Sequence, residues 1–120
     1  MADKNLYKVA VASTDGKNID VHYGKADKFF IYQIDDEAGF DFIEVRNTKP
    51  ACFGGGHLVA EMERSTSQFT DCRYVVAARI GSGAAASLAA KGISGMELPE
   101  TVDDALIKVQ KYNQIQGLFG

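Results

Sequence analysis

Two imidazoles and two thiols, His22, His57, Cys52 and Cys72, are the side chains here best suited to ligate a soft or borderline metal or to attack a substrate. Their spacing argues against several chemistries. A closed structural zinc site draws on C-x2-C or H-x3-H pairs, and the sequence has neither. Cys72 directly precedes an apolar run and reads as a small core residue. A Cys52 nucleophile with His22 or His57 as base needs an electropositive setting and a third, orienting group, which spacing does not supply. The plainer reading of Cys52 is a loop cysteine without catalytic duty. Nuclease chemistry needs carboxylates around two divalent ions ~4 Å apart, and the first apolar segment, KVAVAS, carries no carboxylate.

Gly81-x-Gly83-x-x-Ala86 has the outline of a dinucleotide fingerprint. It follows the fourth strand-like segment rather than the first, and no second nucleotide-binding half is present. Two glycines in a tight strand-to-helix turn are the alternative, and backbone N–H groups at such a helix start can receive an anion. A preassembled metal–sulfur cluster is such an anion. It brings most of its own ligands and asks for N–H donors, a few cations, room left by glycines, and one or two imidazole or thiolate donors. His22, Lys25, Cys52, Gly54, Gly55, Gly56, His57, Arg79 and Gly81 make up that inventory. The bland alternative is that His22 caps a turn or packs on Tyr23 and binds nothing.

These residues sit between segments of clear type. YKVAVAS (residues 7–13) is continuously apolar and β-rich, which suits a strand covered on both faces. Asp15-Gly16 is a strong turn signal. KFFIYQID (28–35) and FDFIEVRNT (40–48) read as strands joined by the short loop DEAG, so that three strands form a meander. Beyond Pro50 the period becomes helical: Leu58, Val59, Met62 and Phe69 fall near one face, and Glu61, Glu63 and Arg64 fall opposite. RYVVAARI (73–80) is a second continuous strand. A helix follows, opened by Gly81-Ser82-Gly83 and closed by Lys91 and a C′ glycine, Gly92. ISGMEL (93–98) is a short strand, and Thr101 caps a last helix whose inner face holds Val102, Ala105, Leu106 and Val109.

The resulting order, βββαβαβα, calls for an α/β fold with one mixed five-stranded sheet, order 3-2-1-4-5 with strand 2 antiparallel to the rest. It resembles the three-layer ribonuclease-H-like architecture. In such a sheet the ligand site is expected at the carboxyl ends of the central parallel strands. Loops 13–24, 50–57 and 81–83 would meet there.

With 120 residues, 46% of them hydrophobic, the chain is expected to form one domain over residues 1–112, with 113–120 as a tail in which Ile115, Leu118 and Phe119 lack helical phasing. The net charge of −3 and the scattered 13 Lys and Arg argue against nucleic acid. No apolar run reaches a membrane span, and two cysteines suit a reducing compartment, so a cytoplasmic protein is expected.

VAVASTDGKNIDVHYGKADKFFIY resembles the opening of the dinitrogenase iron–molybdenum cofactor biosynthesis family, the NifX/NafY-like domain that also forms the C-terminal part of NifB-type proteins. Ser13, Asp15, Gly16, Ile19, Asp20, His22, Tyr23, Gly24, Ala26 and Phe29 fill its motif. Tyr23 stands where Phe is commoner. CFGGGH, VVAARIGSGAAASLAAKGI and TVDDAL resemble later parts of the family, so the likeness covers about residues 8–112. The resemblance implies non-catalytic work: carrying an iron–sulfur or iron–molybdenum–sulfur cofactor precursor, or another molybdenum-containing sulfide cluster, between cluster donor and acceptor proteins. It implies His22 first and Cys52 second as metal contacts. Tyr23, Lys25, Gly54, Gly55, Gly56, His57, Arg79, Gly81, Ser82 and Gly83 would surround the cargo. A monomer or weak dimer, with no nucleic acid or membrane partner, goes with this reading. The alternatives are a metal-free regulatory or interaction domain and an enzyme with a metal or thiol site.

Overall fold

The structure, a computed structural model, describes residues 6–48 and 58–119. Five strands, β1 (Leu6–Ala12), β2 (Lys28–Asp35), β3 (Gly39–Asn47), β4 (Tyr74–Ala77) and β5 (Ser94–Glu97), form one sheet in the order β3-β2-β1-β4-β5. β1 runs antiparallel to β2 and parallel to β4, β2 is antiparallel to β3, and β4 is parallel to β5. The expected mixed sheet, with strand 2 reversed, is therefore the observed one. Three helices cover it: α1 (Leu58–Thr66), α2 (Ser82–Ala90) and α3 (Val102–Phe119). No helix among the described residues is long and apolar enough to cross a membrane.

The continuous apolar character of β1 has a direct structural cause. Alternate side chains enter two different cores, so neither face can be polar. Tyr7, Val9 and Val11 join Ile34, Tyr74 and Val76 under Val102, Ala105, Leu106 and Val109 of α3. Ala10 and Ala12 join Phe29, Ile31, Val75 and Ala77 on the side of α2, where Ala84 and Leu88 pack. The two small alanines leave room for a tight aromatic group in which Phe29 and Phe69 lie 4.6 Å apart and Tyr23 and Phe29 5.6 Å apart. Each large side chain buried in this way contributes roughly 1.5–3 kcal/mol.

Helix ends follow their capping chemistry. The N–H groups of Gly92 and Ile93 donate to the carbonyls of Ala89 and Leu88, and Gly92 has a φ of 78°, so the expected C′ glycine closes α2 in a Schellman turn. Thr101 Oγ1 accepts the N–H of Asp104, and the acidic first turn of α3 suits the positive end of its dipole.

Some boundaries differ from expectation. Phe69 is not part of α1 but of a 3-10 turn, Ser67–Phe69, and is fully buried, while Met62 of α1 packs against the same core. The side chains of Leu58, Val59 and Glu61 lie outside the described residues. β4 leaves the ladder after Ala77, three residues early, because its next amides turn toward the loop after β1. α3 runs through residues 113–119 without a break. Tertiary bonds accompany this extension: Asn113 donates to Asp36 and accepts from Tyr74 and Arg73, and Gln114 donates to the Asp36 carbonyl.

Candidate functional site at the carboxyl ends of β1, β4 and β5

Asp15-Gly16 is a turn, but not the two-residue hairpin turn between β1 and β2. It lies inside a long excursion between Ala12 and Phe29, which are themselves register partners. Ser13, 1% exposed, organises the first half: its hydroxyl donates to the Asn18 carbonyl at 2.6 Å and accepts the Gly16 N–H at 2.9 Å. Asp15 accepts the N–H groups of Asn18 and Lys17, which hold its carboxyl below the usual range. Gly16 takes a φ of 76° close against the Phe30 ring, a place no Cβ would fit. Asp20 receives both the N–H and the hydroxyl of Thr14, at 3.1 and 2.6 Å. The Asp of the Asp-x-His motif thus braces the loop that presents the imidazole.

The second half of the excursion meets β4's continuation. The N–H of Ala78 donates to the Val21 carbonyl at 3.0 Å, and the N–H of Tyr23 donates to the Arg79 carbonyl at 2.8 Å. His22 and Arg79 pair as a parallel bridge. Both side chains are exposed, as are Lys25, Gly81, Ser82 and Gly83. Gly81 is the N-cap of α2 and supplies no side-chain cap, so the amides of the first turn keep their capacity to bind an anion. The loop 13–24 is therefore joined to Ala78 and Arg79, which lead into the expected loop 81–83, at the carboxyl ends of the central strands. Cys52, Gly54, Gly55, Gly56 and His57, the third expected loop, lie outside the described residues.

Tyr23 departs from its expected role as a wall of the site. The whole residue is 1% exposed, and its ring turns into the core against Phe29 and Phe69. Burial raises its phenol pKa, and the hydroxyl bonds to Ser65 Oγ at 2.7 Å. That bond ties the His22 loop to the end of α1. α1 is held further by Thr66 to Ser87 at 2.8 Å and by Lys91 to both oxygens of Glu63 at 2.9 Å.

Cys72 is a free, buried thiol whose pKa is pushed up to about 12 by burial and the neighbouring Asp71 carboxylate. It sits in the core with Phe69 and Val75, as expected of a small apolar residue. Among the described residues, no group of three or more His, Cys, Asp and Glu is placed to hold a metal ion.

Glu97 is a further residue at this end of the sheet, one that residue type alone does not single out. It ends β5, and its Oε2 accepts the N–H of Ile80 at 2.7 Å, directly between Arg79 and Gly81. The available signal is positional, because a carboxylate closing a parallel strand lies at the same end of the sheet as the loops expected to hold a ligand.

Residues 5–112 match the family described as dinitrogenase iron-molybdenum cofactor. The chain is similar to the FeMo cofactor biosynthesis protein NifB of Chlorobaculum tepidum, at 32% identity over 108 residues, 89% of this chain and 24% of that protein. It is also similar to protein NifX of Sinorhizobium fredii, at 28% identity over 87% of this chain and 68% of that one. The chain thus spans about a quarter of the NifB relative's length and about two thirds of NifX. An NMR structure of a candidate NifB protein from Thermotoga shares the fold, with a TM-score of 0.60 and 22% identity over 88% of both chains. With the match running through the strand, turn and histidine loop of the sheet edge, the chain belongs to the dinitrogenase iron-molybdenum cofactor family.

Proposed function

We propose that the chain is a non-catalytic carrier that takes up an anionic iron–sulfur or iron–molybdenum–sulfur cofactor precursor at the joined loops of the sheet edge. The observation that carries this reading is the backbone pairing of His22 with Arg79, which brings two exposed residues side by side two positions before the N-cap of α2. An imidazole supplies a borderline donor to a cluster metal, while Arg79, Lys25 and the amides of Gly81, Ser82 and Gly83 meet its sulfide face. Cys52 and His57 are the further donors proposed from the neighbouring loop, and Gly54, Gly55 and Gly56 leave the cargo room. The names of the NifB and NifX relatives, one of them a FeMo cofactor biosynthesis protein, support the same cargo class. Donor and acceptor proteins of a cytoplasmic assembly pathway are the partners that such a carrier requires.

The test is anaerobic incubation with an iron–sulfur cofactor precursor followed by desalting. Wild type should retain brown colour and charge-transfer absorption, and His22→Ala should lose most of it. Wild type and His22→Ala equally colourless with iron–sulfur and iron–molybdenum–sulfur species alike would overturn the carrier reading.

One observation favours a second reading, a metal-free interaction domain. Edge strand β3 leaves Phe42, Ile43 and Val45 39–53% exposed. Loss of partner binding in a Phe42→Ser variant, with no cluster uptake by wild type, would select it.

A further inference from the structure

We infer that Glu97 is a release residue of the cargo site: its carboxylate holds the N–H of Ile80, just before the first turn of α2, and its charge opposes the anionic guest. The inference rests on the carrier reading. Ile80, whose N–H Glu97 accepts at 2.7 Å, lies between the residue that pairs with His22 and the N-cap of α2. That N-cap is a glycine and the first turn of α2 carries no acidic side chain, so the negative charge at this positive helix end comes from across the sheet, from β5. The ion pairs found among the described residues do not include Glu97. Its charge therefore stands at Ile80, one residue along the chain from Arg79, the pairing partner of His22.

An anion drawn to these groups gains their attraction and meets the Glu97 charge within the same few residues. A carrier that must hand its cargo on benefits from such a counterweight, because the repulsion weakens retention without removing the donors. Glu97→Gln isolates the effect. The amide oxygen of glutamine can still accept the Ile80 N–H, so the turn keeps its bond and loses only the charge.

The probe is tetrathiomolybdate, a small sulfide anion, titrated into the full chain. Glu97→Gln should bind it roughly three- to tenfold more tightly than wild type, as expected for removing one exposed like charge nearby. The gap should narrow as salt screens the interaction. In wild type the Ile80 amide resonance should shift on binding. Equal affinities, with wild type binding and His22→Ala not binding, would overturn the release role and leave the carrier reading standing. Weaker binding by Glu97→Gln would make Glu97 a donor to the cargo and also overturn it. If no variant binds either tetrathiomolybdate or an iron–sulfur cofactor, the carrier reading falls and the release role falls with it.

Discussion

The backbone N–H of Tyr23 donates to the carbonyl of Arg79 at 2.8 Å, and through this bond the loop after β1 becomes a short extension of the sheet beside β4. His22 stands one residue before the bond and Gly81 two residues after it. Main-chain bonds at Val21 and Tyr23 therefore hold the backbone on both sides of His22, while its imidazole stays exposed.

The buried Ser13 hydroxyl is the hub of the first half of that loop. Ser13→Ala leaves the Asn18 carbonyl and the Gly16 N–H without their partner, and should cost about 1–3 kcal/mol of unfolding free energy. Urea denaturation measures the loss, and faster amide exchange at Gly16 should accompany it.

Tyr23→Phe should leave the ring packed on Phe29 and Phe69 and remove only the hydroxyl bond to Ser65. Because Ser65 is also buried, at 6% exposure, the single substitution should cost roughly 1–2 kcal/mol. The Tyr23→Phe, Ser65→Ala double variant should cost less than the sum of the two singles, since both members of one pair are gone. A thermal-melt double-mutant cycle reads the coupling, and strict additivity would mean the bond contributes nothing.

Asp71 accepts two bonds from the Arg46 guanidinium, at 2.9 and 2.6 Å, which hold its carboxyl well below the usual carboxylate value of 3.8. A carboxyl depressed in the folded state contributes stability above its unfolded pKa and loses it as pH falls toward the folded value. The pair links β3 to the turn before β4, so acid below about pH 4 should loosen that edge first. Solvent reaches both side chains, which keeps the contribution small. Asp71→Asn should flatten the acid limb of a stability-versus-pH curve; an unchanged limb would assign it to other carboxylates.

The Cys72 thiol, with its pKa pushed up to about 12, should resist alkylation at pH 8 in the native protein. Peptide-level mass spectrometry after an iodoacetamide pulse should find Cys72 unmodified until urea unfolds the chain. Rapid native labelling would show that the core around Phe69 opens readily.

Asn113→Ala should unfasten the last turns of α3. Asn113 is bonded to Tyr74, Arg73 and Asp36, and Tyr7 also donates to Asp36 at 2.8 Å. Removing the amide should cost about 1–3 kcal/mol, and exchange should rise across residues 113–119 while the amides of 102–109 stay protected.

The sequence by itself determined the sheet. The unbroken apolar runs at β1 and β4, the meander spacing and the Gly92 stop specify element type and order, because burial on two faces and left-handed backbone both restrict which residues can stand there. The histidine loop was legible for a similar reason, since its Ser, Asp-Gly and Asp residues bond within a few positions of themselves. Three matters were decided only by tertiary structure. Tyr23 turned inward because a phenol beside His22 could reach Ser65, forty-two residues along the chain, and bury its ring at the same time. Residues 113–119 became helical where their own apolar spacing had no phase, with bonds from Asn113 and Gln114 to Asp36 fastening them. Glu97 came to lie beside Arg79 and Gly81 because its carboxylate met the Ile80 N–H from the neighbouring strand. Each is a contact between segments distant in sequence, and local pattern carries no information about which distant group will arrive.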